Sequence, residues 1–151
     1  AKIKFPNHTN VKDVVIFFPA NEKAFRVAMY SFREFDFFKN NINYYFVINQ
    51  KFENLIKLNA PNLIFMRYNR SRVSFCELKD KDKLINKNKD IIIDLNTEFN
   101  LELCRFIDTI NCDYKIGFKN EFSDYFFNFQ LDTYNDNVSE NSFKRIQKIL
   151  M

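Results

Sequence analysis

Glycine is nearly missing: Gly117 is the only one in 151 residues. That excludes a collagen repeat, a glycine-rich linker, a P-loop and the three-glycine fingerprint of dinucleotide binding. Histidine is as scarce, with His8 alone in the polar N-terminal stretch, where it reads as a surface residue. The three cysteines, Cys76, Cys104 and Cys112, show no C-x-x-C spacing. None of the common zinc sets can be assembled from them, so no metal and no cofactor is expected. Long apolar runs are lacking too: the longest, Val14 to Ala20, covers seven residues, whereas a membrane helix needs about 20. No transmembrane segment is therefore expected. An odd, unpatterned cysteine count, and a lead (Ala1 to Asp13) without the cationic-then-apolar pattern of a secretory signal, set the expectation of a reduced, cytoplasmic protein.

What is present is lopsided. There are 20 Phe, 7 Tyr and no Trp, with 21 Asn against five Ala. The bias follows AT-rich codons, but its physical result is a core built from phenylalanine. With 46% apolar residues in 151, the chain is one domain's length and can bury a substantial core. Its net charge of +4, from 23 basic and 19 acidic residues, is too mild for a nucleic-acid footprint, and no nucleic-acid partner is expected.

Along the chain, Val14 to Phe18 is a continuous apolar run, the mark of a parallel strand covered on both faces. Asn21 can cap a helix whose stripe is Phe25, Ala28, Met29, Phe32 and Phe35. Tyr44 to Ile48 reads as a second strand, a short helix around Phe52 follows, and Leu63 to Met66 reads as a third strand. Arg67 to Arg72 reads as an arginine-rich loop. The stretch from about 70 to 89, with Lys79-Asp80-Lys81-Asp82-Lys83, reads as an irregular charged surface loop with one helical turn at most. Asp90 to Leu95 is the clearest buried strand. Phe99, Leu103, Phe106, Ile107 and Ile110 then form a helical stripe, capped by Asn96 or Thr97 with Glu98 in the first turn. Tyr114 to Phe118 is a short strand, Tyr125 to Leu131 an edge strand, and Ser139 opens a last helix with Phe143, Ile146 and Leu150 inward. The expected fold is one α/β domain over residues 1–151, Rossmann-like, with an open, mostly parallel sheet of about six strands and helices on both faces.

The segment Asp90-Ile91-Ile92-Ile93-Asp94-Leu95, a helix, and then Tyr114-Lys115-Ile116-Gly117-Phe118 resembles the N-terminal domain of glycosyltransferase family 9, the heptosyltransferases of lipopolysaccharide synthesis. The resemblance implies the acceptor half of a two-domain GT-B enzyme, whose other half binds the nucleotide-sugar. In that family the turn after the first strand carries a Gly-Asp pair, the Asp being the base. Here the turn is Pro19-Ala20-Asn21-Glu22-Lys23-Ala24, with neither residue, and Glu22 is the one weak substitute.

Ligands of open α/β sheets bind beyond the carboxyl ends of the strands. Asp94, Asn96, Thr97 and Glu98 fall at such an end, as a capped helix start or as a ligand site. Arg67, Arg70 and Arg72 follow the third strand and suit phosphate or carboxylate, unless they are scattered solvated cations. Phe37, Phe38, Tyr125 and Phe126 form aromatic clusters larger than one inward face takes, and are the expected contacts with a protein partner or a second copy. The expectation is a non-catalytic glycosyltransferase-like domain that acts as a binding or assembly component through these patches. The alternative is the acceptor-binding half of a heptosyltransferase-like sugar transferase, with a sugar or phosphate-bearing ligand.

Overall fold

A computed structural model describes residues 11–38, 41–58, 62–69, 72–131 and 140–150. Among the described residues seven strands form one sheet: β1 (Asp13–Phe17), β2 (Asn43–Asn49), β3 (Asn62–Asn69), β4 (Arg72–Phe75), β5 (Lys89–Asp94), β6 (Cys112–Phe118) and β7 (Phe129–Leu131). Their order is β4-β3-β2-β1-β5-β6-β7. All neighbours are parallel except the β3–β4 hairpin, where Asn69 faces Arg72 and Arg67 faces Ser74. With β4 set aside, the six parallel strands have the order of a doubly wound Rossmann sheet. The seventh strand comes from residues read as a loop: four residues at an edge, polar at alternate positions, give too short a pattern to read.

The sheet is buried on both faces, which is why β1 is apolar throughout. Helices α1 (Glu22–Ser31) and α4 (Glu140–Leu150) cover one face together with a 3-10 turn over Gln50–Leu55. Phe18, Phe25, Phe32, Phe46, Phe52 and Phe143 meet there. Helices α2 (Leu78–Ile85) and α3 (Leu101–Thr109) cover the other, where Val15, Phe17, Val47, Ile64 and Ile92 pack under Leu84, Leu103 and Ile107. The phenylalanine surplus fills the first face with edge-to-face rings, Phe18 lying 5.1 Å from Phe46 and 5.7 Å from Phe32. Phe37, expected at an interface, belongs to this core: it is 5% exposed and packs 4.8 Å from Phe46. Its neighbour Phe38 takes the outward position, 66% exposed.

The charged stretch is also more ordered than its sequence implies. Ser74 and Phe75 belong to β4, and Lys79 to Lys83 lie within α2, where Lys83 pairs with Asp80 at 3.4 Å. Leu84 supplies the buried anchor. The expected edge strand from Tyr125 is shorter than read, with only Phe129–Leu131 paired, and Ser123–Tyr125 form a 3-10 turn. Gly117 serves close packing. A Cβ there would stand 2.7 Å from the ring of Phe127, which lies flat against the β6 backbone. Among the described residues no helix is long and apolar enough to cross a membrane.

Candidate functional site

The strand order reverses at β1. The chain leaves β1 for β2 on one side and returns to β5 on the other, so the loops after β1 and β5 diverge and leave a crevice at their carboxyl ends. An open cleft of about 510 Å³ occupies this position, lined by Ala20, Asn21, Lys23, Asn96, Thr97 and Phe99 among others. Helices α1 and α3 both begin on it, at their N-caps Asn21 and Asn100.

Its floor is a seam of side-chain amides that ties three strand ends together. Asn96 donates from its backbone N (3.0 Å) and its Nδ2 (2.7 Å) to Oδ1 of Asp94. Asn96 Oδ1 accepts from the Ala20 amide at 2.8 Å, and Asn49 Nδ2 donates to the Ala20 carbonyl at 3.1 Å. Asp94 pairs in register with Phe17, which points into the α2–α3 face. Burial pushes the Asp94 carboxyl up to about 6, against the pull of the two Asn96 bonds. Two other titratable groups sense its charge. Tyr68 of β3 carries a buried hydroxyl without a hydrogen-bond partner, and its pKa is raised by burial and by Asp94. The Cys104 thiol of α3 is pushed up to about 12 by burial first and Asp94 second.

The cleft continues outward into a ledge of rings. Phe99, on the cleft wall, lies 4.7 Å from Phe122 and 6.2 Å from Phe126. Phe122 is 44% and Tyr125 79% exposed.

The structure thus brings Asn96, Thr97 and Glu98 to the cleft and sets Asp94 beneath it, as an open-sheet site requires. Neither Asn96 nor Thr97 caps α3. Asn100 does, accepting from the Leu103 amide at 3.1 Å. Phe99 therefore sits ahead of the helix, free to join the ledge. Glu22 does not line the cleft: it starts the exposed side of α1 and pairs with Arg26 at 3.6 Å. Arg67 and Arg72 are strand residues, two and three strands from β1, and Arg67 donates to Gln50 Oε1 at 3.0 Å. They do not converge on the cleft, and Arg70 lies outside the described residues, as does His8. The aromatic patches separate as well. Phe126 stands at the ledge, with the exposed Tyr125 next to it in the chain, whereas Phe38 precedes β2, at the opposite end of the sheet.

Sequence reasoning missed the Ala20–Asn96–Asn49 seam and Phe122. The signal for the seam was an asparagine just past or at the end of two apolar strands. Chemically the cleft offers amide donors and acceptors, one lysine, one glutamate and an aromatic wall. The nearest thiol, Cys104, is held protonated. Among the described residues no three His, Cys, Asp or Glu side chains are grouped to hold a metal ion. No protein-family model, curated protein or solved structure matches this chain.

Proposed function

We propose that this chain is a non-catalytic, glycosyltransferase-like binding domain whose contact surface is the strand-reversal cleft and its aromatic ledge. One observation carries the reading: an amide-lined cleft at the ligand position of an open sheet runs directly into exposed rings, while Glu22, the only base candidate of the β1–α1 turn, stands outside it. Exposed aromatics beside a pocket are the usual anchors of an interface. The three unpaired thiols favour a reducing, cytoplasmic setting for that work.

A second reading rests on the same juxtaposition. Rings that stack and amides that bond hydroxyls suit a sugar, so the cleft also fits the acceptor-binding half of a sugar transferase. Native mass spectrometry of the gently captured protein, together with ligand-observed NMR against a panel of mono- and disaccharides, tests both. A stoichiometric complex that weakens at least tenfold in Phe122→Ala and Tyr125→Ala, with unchanged melting, supports the binding domain. Saturation transfer to a sugar, abolished by the same variants, supports the acceptor half. A complex or sugar signal indifferent to both substitutions overturns the assignment of the ledge.

A further inference from the structure

We propose that Asp94 is a proton-sensitive latch: its carboxylate, through Asn96, holds the β5–α3 loop against the β1–α1 turn and so sets the shape of the cleft. The device rests on connectivity. Asp94 Oδ1 is the common acceptor of two Asn96 donors, and the same Asn96 side chain grips the Ala20 amide. No other side-chain hydrogen bond among the described residues joins the two loops that wall the cleft. The carboxylate is buried, and no ion pair among the described residues includes it.

The groups around it are few. Tyr68 of β3 and Cys104 of α3 feel its charge, while β1 presents Phe17 beside it in register. The charged residues of the cleft above are Lys23 of α1 and Glu98 of the loop. Both Asn96 bonds favour the charged carboxyl, so they weaken when it takes a proton. A neutral Asp94 keeps Oδ1 as a weaker acceptor for Asn96 and carries its hydrogen on the other oxygen. With those bonds weakened, Asn96 is held less firmly against the Ala20 amide, and the loop from Asn96 to Asn100 loosens while Ala20 keeps its Asn49 bond. The carboxyl's value of about 6 places this change just below neutral pH.

This inference refines the proposed cleft, but its test uses no ligand, so it can fail while the binding reading stands, and the reverse. Amide NMR of the whole chain is followed between about pH 5 and about pH 7.5. Ala20 and Asn96 amide resonances are expected to shift together with a midpoint near 6, matching the Asp94 carboxyl carbon. In Asp94→Asn both resonances should stay flat. In Asn96→Ala the Asp94 carboxyl should still titrate while Ala20 no longer responds. An Ala20 resonance that does not move, or that titrates with a midpoint different from the Asp94 carbon in the unmodified protein, overturns the latch. So does an unchanged response in Asp94→Asn; where that variant does not fold, the carbon-detected comparison decides.

Discussion

The two ends of β5 are built from the same materials and used differently. At the amino end, Lys89 is 2% exposed, and its Nζ donates to the carbonyls of Lys83 (2.8 Å) and Lys87 (3.0 Å), closing the end of α2. Beside it, Asp90 accepts from the backbone amides of Lys12 and Asp13 at 2.8 and 2.9 Å. Each charge there is spent on the backbone of a neighbouring element. At the carboxyl end, among the described residues, Asp94 is held by Asn96 alone, the buried Tyr68 hydroxyl of β3 has no hydrogen-bond partner, and two helix N-termini face an open cleft. Buried polar groups that are all satisfied lock a fold, whereas partly satisfied ones mark the place where something outside the fold can act. On that reasoning the amino end is structural, and the carboxyl end is the one that the proposed binding role uses.

Breaking the amino end should cost most. Lys89→Ala removes two charge-assisted bonds, leaves one carbonyl in the last turn of α2 and one in the turn after it without their donor, and opens a hole beneath Tyr45, whose ring lies 5.3 Å from Nζ. A loss of about 3–4 kcal/mol is expected, seen as a melting point lower by on the order of 10 °C. A loss below about 1 kcal/mol would remove the structural distinction between the two ends.

The matching change at the carboxyl end should have the opposite sign. Burial raises the Asp94 carboxyl from its ordinary 3.8 to about 6, so the charged form costs the folded state about 3 kcal/mol. The penalty is absent below about pH 4, where the group is neutral folded or unfolded, and complete above about pH 7. Asp94→Asn should therefore stabilise the protein by up to about 3 kcal/mol at pH 7.5 and by little at pH 4. Thermal melts of both proteins across that range check it. A variant less stable than the parent at pH 7.5 would mean that the Asn96 bonds outweigh desolvation. The gain in global stability on protonation is compatible with a looser loop, because desolvation acts on the whole fold and the Asn96 bonds act on the cleft alone.

A smaller effect tests whether the ledge is anchored from the sheet. In Gly117→Ala the new methyl would press on the Phe127 ring at 2.7 Å. About 2 kcal/mol of overpacking strain is expected. Displaced resonances of Phe122 and Phe126, with Lys89 and Asp90 unmoved, would localise the strain to the contact end.

How far these features could be read beforehand depends on range. Apolar runs such as Val14 to Phe18 and Ile91 to Ile93 announce doubly covered strands, because a strand buried on both faces needs no alternation. The position of the cleft follows from them, which is why Asp94, Asn96, Thr97 and Glu98 are placed at that strand end from sequence. The α3 cap was not: Asn96 and Asn100 are equally able to cap, and the choice is made by the Asn96 bond to Ala20, 76 residues away. Phe99 fits the helical stripe as well as Leu103 does, so its place on the cleft wall is a tertiary outcome. Phe37 and Phe38 are adjacent and chemically identical, and only the packing against Tyr44 and Phe46 settles which one is buried.

Tyr68→Phe is the mildest change and the most direct on the comparison itself. It deletes one oxygen, one that is buried without a hydrogen-bond partner. Leaving such a hydroxyl unpaired costs about 1–3 kcal/mol, part of which the ring's other contacts already offset. The variant should be more stable than the parent by on the order of 1 kcal/mol, a rise of about 2–4 °C in melting point. The opposite result, a drop in stability at neutral pH, would mean that the hydroxyl is satisfied in solution. The carboxyl end of β5 would then be as fully bonded as the amino end, and the case for the proposed binding role would rest on the cleft and the ledge alone.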